Sequence, residues 1–165
     1  MPKSCHSHSN DAELVERERY WNESEQAIVE GIVSLVPNYP PSKGEVYVAS
    51  DVRLFLLMAG LQQLYLRAEG FAEGVLATGQ SVDIDAFPSL KASLYTVFHK
   101  FYADRNRKPT RSDGFDIINS AATPAVDAVV TENHQAEVLR KTMNRDDFIS
   151  ELQVFTLKDF RHVPP

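Results

Sequence analysis

Arg111-Ser112-Asp113-Gly114-Phe115-Asp116-Ile117-Ile118-Asn119 is followed, three residues on, by Thr123-Pro124-Ala125-Val126-Asp127-Ala128-Val129-Val130-Thr131-Glu132-Asn133. The pattern changes from helical to extended between these two stretches. Residues 112–122 read as a helix, with Ser112 as N-cap and Asp113 in the first turn, where its charge meets the positive end of the helix dipole. Residues 128–131 form a short β-branched run and read as a strand. Residues 133–141 read as another helix, with Glu137 and Lys141 spaced as an i,i+4 ion pair. Residues 152–157 read as a second strand. Strand, helix and strand with short connections make a parallel βαβ unit with a right-handed crossover. The expected fold class is therefore α/β, helix-rich, with a small parallel sheet at the C-terminal end.

Upstream of this unit the signals are helical. Residues 88–103 predict a helix with Leu90, Leu94, Val97, Phe98 and Phe101 on its buried side. A basic loop, Asp104-Arg105-Asn106-Arg107-Lys108-Pro109-Thr110-Arg111, follows it. Residues 69–85 carry glycines and little periodicity, which predicts a helix end and a loop. From Asp51, read as its cap, to about residue 68 the chain predicts a helix apolar on most sides, with Leu54, Phe55, Leu56, Leu57, Met58, Leu61, Leu64 and Leu66. Such a helix is usually buried within a domain or against a partner. Val46, Tyr47 and Val48 suggest a short strand before it. Residues 11–36 predict a long amphipathic helix, ended by Pro37, Pro40 and Pro41. Residues 1–10 read as a disordered tail, and residues 11–165 as a single domain.

The chain has 165 residues, enough for one domain with a real core. Its net charge of −6 argues against a general nucleic-acid coat protein, whose surface is broadly basic. The balance leaves room for a site built from carboxylates. A single cysteine, Cys5, rules out an intramolecular disulfide and fits a cytoplasmic setting. Cys5, His6 and His8 lack the second ligand pair that a structural zinc site needs. No apolar run approaches the roughly 20 residues of a membrane span.

The acidic residues of the opening stretch are the candidates for chemistry. Asp113 and Asp116 are i,i+3 on one helix and share a face. Asp127 precedes the first strand, and Glu132 follows it at the carboxyl end, where open parallel sheets place their ligand sites. Converging carboxylates repel unless a cation joins them. Mg²⁺ or Mn²⁺ suits an all-oxygen site and there can activate water against a phosphodiester. The basic loop upstream is placed to touch backbone phosphates. Each acid also has a structural role open to it: Asp113 and Glu132 as helix-start carboxylates, Asp116 as a solvated helix residue, Asp127 as a turn residue.

In order and type these residues resemble the C-terminal half of a PIN-like domain. The resemblance runs over residues 111–160: an acidic pair on a helix (Asp113, Asp116), a strand ending in Thr131-Glu132, a helix, and a final strand. It implies part of a three-layer α/β/α fold and a metal-dependent ribonuclease. In that reading Asp113, Asp116 and Glu132 are catalytic, Asp113, Asp116, Asp127 and Glu132 hold Mg²⁺ or Mn²⁺, and RNA is the substrate. The chain departs from the pattern in two places. It lacks the opening apolar strand ending in Asp, and it has Asn119 where the resembled subgroup has His. A chain truncated on its N-terminal side, or a degenerate and inactive relative, is the expectation that follows.

A second reading is a non-catalytic interaction domain, in which a homodimer or a partner chain covers an open sheet edge. A third is a helical ligand-binding protein in which the βαβ unit is only structural. No phosphate-cradling glycine loop or nucleophile pair supports other chemistry.

Overall fold

The computed structural model describes residues 38–67, 83–104 and 106–160, with isolated positions before and between them. The expected tail and most of the expected first helix lie outside the described residues. The isolated positions Val15, Glu16, Arg19, Ala27 and Gly31 are helical.

Helix α1 spans Ala49–Arg67. Val46–Val48 is not a strand: the segment is an irregular lead-in that anchors the helix start. The Asp51 carboxylate accepts the Val48 N–H at 3.0 Å, satisfying a donor at the helix start, and the Ser42 N–H at 3.3 Å, tying the lead-in to it. Tyr39 donates its hydroxyl to the Asp51 carbonyl at 2.7 Å, and Tyr47 donates to the Tyr39 carbonyl. Nor is α1 buried all round. Phe55, Leu56 and Ala59 face the core, while Leu54 and Met58, one turn apart, are 51% and 46% exposed.

Helix α2 spans Pro88–Val97, with proline in its first turn, and continues as a π-helical segment over Phe98–Ala103. Leu94, Val97 and Phe98 are buried as the periodicity predicts, and Leu90 and Phe101 are half-buried. The same helix also buries Lys91, His99 and Lys100, which apolar periodicity does not reveal. The core is aromatic where α1 meets α2. Phe55 lies 5.3 Å from Phe98 and 4.6 Å from Tyr102 between ring centroids, and Tyr47 meets Phe98 edge-on at 5.0 Å. These spacings suit tilted and T-shaped ring packing.

Helix α3 spans Arg111–Ser120 and lies against α2. Its N-cap is Thr110, two residues before the expected Ser112. Strand β1 (Ala128–Thr131), helix α4 (Asn133–Met143) and strand β2 (Gln153–Thr156) form the expected unit. The two strands pair in parallel, with Ala128 opposite Gln153 and Thr131 opposite Thr156. Ala136, Val138 and Leu139 of α4 are buried. A one-turn helix α5, Leu157–Phe160, follows β2. The fold is thus a helix-rich α/β arrangement around a two-stranded parallel sheet. Among the described residues no helix is long and apolar enough to cross a membrane.

Candidate functional site

The four acids singled out in the sequence separate into two pairs. Asp113 and Asp116 meet inside the molecule, at the start of α3 and against α2. Asp127 and Glu132 stay exposed at the two ends of β1. Glu132 is the N-cap residue of α4, but its side chain accepts no capping hydrogen bond. Asp127 serves the sheet through its backbone, its carbonyl accepting the Gln153 N–H at 2.9 Å.

What joins the first pair is a lysine. The Lys100 side chain is 0% exposed, and its ammonium lies 2.9 Å from Asp113 Oδ1 and in contact with Asp116 Oδ2. The π-helical turn widens α2 at this point, and Lys100 and Tyr102 are buried together with Phe98 and His99. Arg107, from the basic loop, adds a second cation 2.6 Å from the same Asp113 oxygen. Thr110 completes the shell from the other side: its N–H and its hydroxyl each donate to Asp113 Oδ2 at 2.8 Å. Burial by itself would push the Asp113 carboxyl up. The donors from Lys100, Arg107 and Thr110 outweigh burial and hold it well below the usual carboxylate range. The basic loop therefore gives part of its charge to the protein itself.

This arrangement answers whether the site suits a metal. A carboxylate offers about four lone-pair positions, and at Asp113 four donors from the chain take them. Asp116 has its own contact with the same ammonium. Among the described residues, no group of three or more His, Cys, Asp or Glu side chains lies together as a metal site would require. The residues present do not fit a divalent ion. Lys100 and Arg107 supply the positive charge that an ion would bring, and a fully buried pair is stable only with such hydrogen bonding.

Two further polar groups lie near this cluster. His134, in the first turn of α4, has a buried Nε2 with no hydrogen-bond partner among the described residues. Burial, and then the Arg107 and Lys100 charges, lower its pKa. Gln135 is 4% exposed, and neither atom of its amide has a partner among the described residues. Gln135 lines a cavity of about 200 Å³ together with Asp116, Asn119, Val129, Val130 and Thr131. Ser120, Thr123 and Leu139 complete its wall, so the cavity lies between β1, the end of α3 and α4.

A second buried lysine is built the same way at the far side of α2. Lys91 Nζ lies 2.7 Å from Asp146 and in contact with Asp85, 4.6 Å above the Phe148 ring. Tyr95 donates to the same Asp146 oxygen at 2.9 Å. This cluster ties the segment at Asp85 and the turn at Asp146 to α2. Sequence reasoning missed both lysines, and also Arg107, His134 and Gln135 as individual residues. The one available signal was the presence of two lysines inside an otherwise apolar helical pattern.

No protein-family model, no curated protein and no solved structure matches this chain.

Proposed function

We propose that this chain is a non-catalytic protein-interaction domain that keeps the acidic motif of a PIN-like half-sheet as a structural ion cluster. The observation that carries the reading is the Lys100 ammonium, seated between Asp113 and Asp116 with no exposure to solvent. A carboxylate pair already matched by two cations from its own chain, Lys100 and Arg107, is committed to holding α2 against α3. The surface supports the same reading. Leu54 and Met58 form an exposed apolar pair on α1, and Val126 and Val130 are exposed beside the sheet. Parallel sheets are as a rule covered on both faces, and one of only two strands invites covering by another chain.

The second reading is the metal-dependent ribonuclease that the resemblance implies. One observation favours it: Asp116 shares a cavity wall with Thr131, at the carboxyl end of β1, where α/β folds bind ligands. That reading requires Mg²⁺ or Mn²⁺ to displace Lys100 from both aspartates. The test is incubation of the protein with single-stranded RNA and Mn²⁺ beside Asp116→Asn, a variant that still offers Lys100 an acceptor. Equal, background-level cleavage by both proteins is expected. Cleavage by the wild type that the variant loses would establish the nuclease and overturn the interaction reading.

A further inference from the structure

The two edges of the sheet are treated differently by the chain. Gln153 N–H donates to Asp127 O, so Gln153 turns its backbone toward β1. With a two-residue repeat, Val154 and Thr156 turn theirs away. One group at each outward position is engaged. Arg140 Nη2 donates to the Val154 carbonyl at 2.9 Å, and the Thr156 N–H is taken by Asp159 Oδ2 at 2.9 Å. Two of the four outward groups of β2 are thereby taken, which blunts that edge. On β1 the same alternation turns the N–H and C=O groups of Ala128 and Val130 outward. Among the described residues these four groups have no partner, and the 200 Å³ cavity borders Val129, Val130 and Thr131.

The geometry points to β1 as a strand-addition site for an extended segment of a partner protein, β-branched over about four residues and flanked by basic ones. This inference rests on the interaction reading above and gives it a surface and a partner. Extended backbone is the ligand because the groups without a partner among the described residues are two donors and two acceptors alternating along a strand, the pattern another strand complements. The cavity falls below the roughly 300–1,000 Å³ of small-molecule sites and suits side chains of the added strand instead. Val126 and Val130 lie on the exposed face, where β-branched side chains of that strand would cover them. Charge selects among partners. Asp127 and Glu132 are exposed at the two ends of β1, and the chain carries a net −6. A second copy paired antiparallel across β1 would bring those carboxylates together, an unfavourable arrangement, whereas basic flanks meet them favourably. The Gln135 amide on the cavity wall, unpartnered among the described residues, marks a polar contact left for the incoming chain.

The test uses the full chain and a labelled peptide, Lys-Val-Thr-Val-Thr-Lys, read by fluorescence polarisation. Two further peptides carry backbone N-methyl groups on one or the other alternating set of residues. In strand addition only one set faces β1. One methylated peptide is expected to bind about tenfold more weakly, for the loss of two backbone hydrogen bonds, and the other to bind as before. Replacing both Lys by Glu is expected to weaken binding severalfold. Absence of binding, or equal weakening by both methylated sets, overturns the assignment. Sedimentation of the protein as a dimer also overturns it, by making a second copy the occupant. Saturable Mn²⁺ binding that Asp116→Asn abolishes, with no peptide bound, would instead overturn the interaction reading itself.

Discussion

Asp113 and Asp127 are the same residue type in one short motif, yet they do opposite work. Asp113 is fully buried and accepts from Lys100, Arg107 and both donors of Thr110. Asp127 is exposed, and the sheet uses its backbone carbonyl. Asp116 goes with the first and Glu132 with the second. Spacing along a chain places acids on common elements, while the cations that reach them decide whether they form a site or a staple.

The largest expected effect comes from breaking the buried member of this comparison. Asp113→Ala strands the Lys100 ammonium beside a single carboxylate, and Lys100→Met leaves Asp113 and Asp116 facing each other. Each is expected to cost about 3–5 kcal/mol of unfolding free energy, measured by urea titration at neutral pH. A loss below 1 kcal/mol would show that the cluster is not what joins α2 to α3.

A pH titration sharpens the comparison with a neutral group buried beside the same turn. Burial, then the Arg145 and Lys141 charges, push the His99 pKa down to about 4. The unfolded chain takes up this proton near the ordinary value of about 6.5. Between those two pH values the unfolded state binds more protons, so stability falls as pH drops through that window, by up to roughly 3 kcal/mol. His99→Phe is expected to flatten that slope. Asp113 acts lower still. Its depressed pKa contributes stability above the ordinary carboxylate value of about 3.9, and that stability is lost as pH falls toward the folded value. Stability that is flat from pH 7 to pH 4 would contradict the burial of His99.

The smallest effects are expected at the exposed pair. Asp127→Ala and Glu132→Ala should each change stability by no more than about 0.5 kcal/mol, since neither side chain is buried and Glu132 makes no side-chain cap. Both should weaken the Lys-flanked peptide, which Asp113→Ala does not touch directly. A large stability loss at either would place them in the ion cluster after all.

How much of this was readable beforehand follows from the range of the forces. The βαβ unit was legible because its signals are local. Ala128-Val129-Val130-Thr131 is β-prone, the connections are short, and α4 alternates Val138 and Leu139 with exposed Glu137 and Arg140. The dipole-favoured place of Asp113 was legible too, although its cap is Thr110 and not Ser112. Lys100 was not legible as its partner. It stands on another helix, and the π-helical widening at Phe98–Ala103 alters the phase that a 3.6-residue period assumes. The strand expected at Val46–Val48 failed for a related reason: apolar β-branched residues need a neighbouring strand, and here Asp51 takes the Val48 N–H to start a helix. The exposed side of α1 at Leu54 and Met58 was hidden because composition alone made that helix look buried.

Lys100 holds together the two aspartates that a metal ion would have to bridge. Calorimetric titration of Mn²⁺ into the wild-type protein at neutral pH, repeated with Asp116→Asn, tests whether it leaves them free. No saturable heat is expected in either protein, because Asp113 and Asp116 are already bound to Lys100. Saturable binding in the wild type that disappears in Asp116→Asn would contradict this and restore the acidic pair as a metal site.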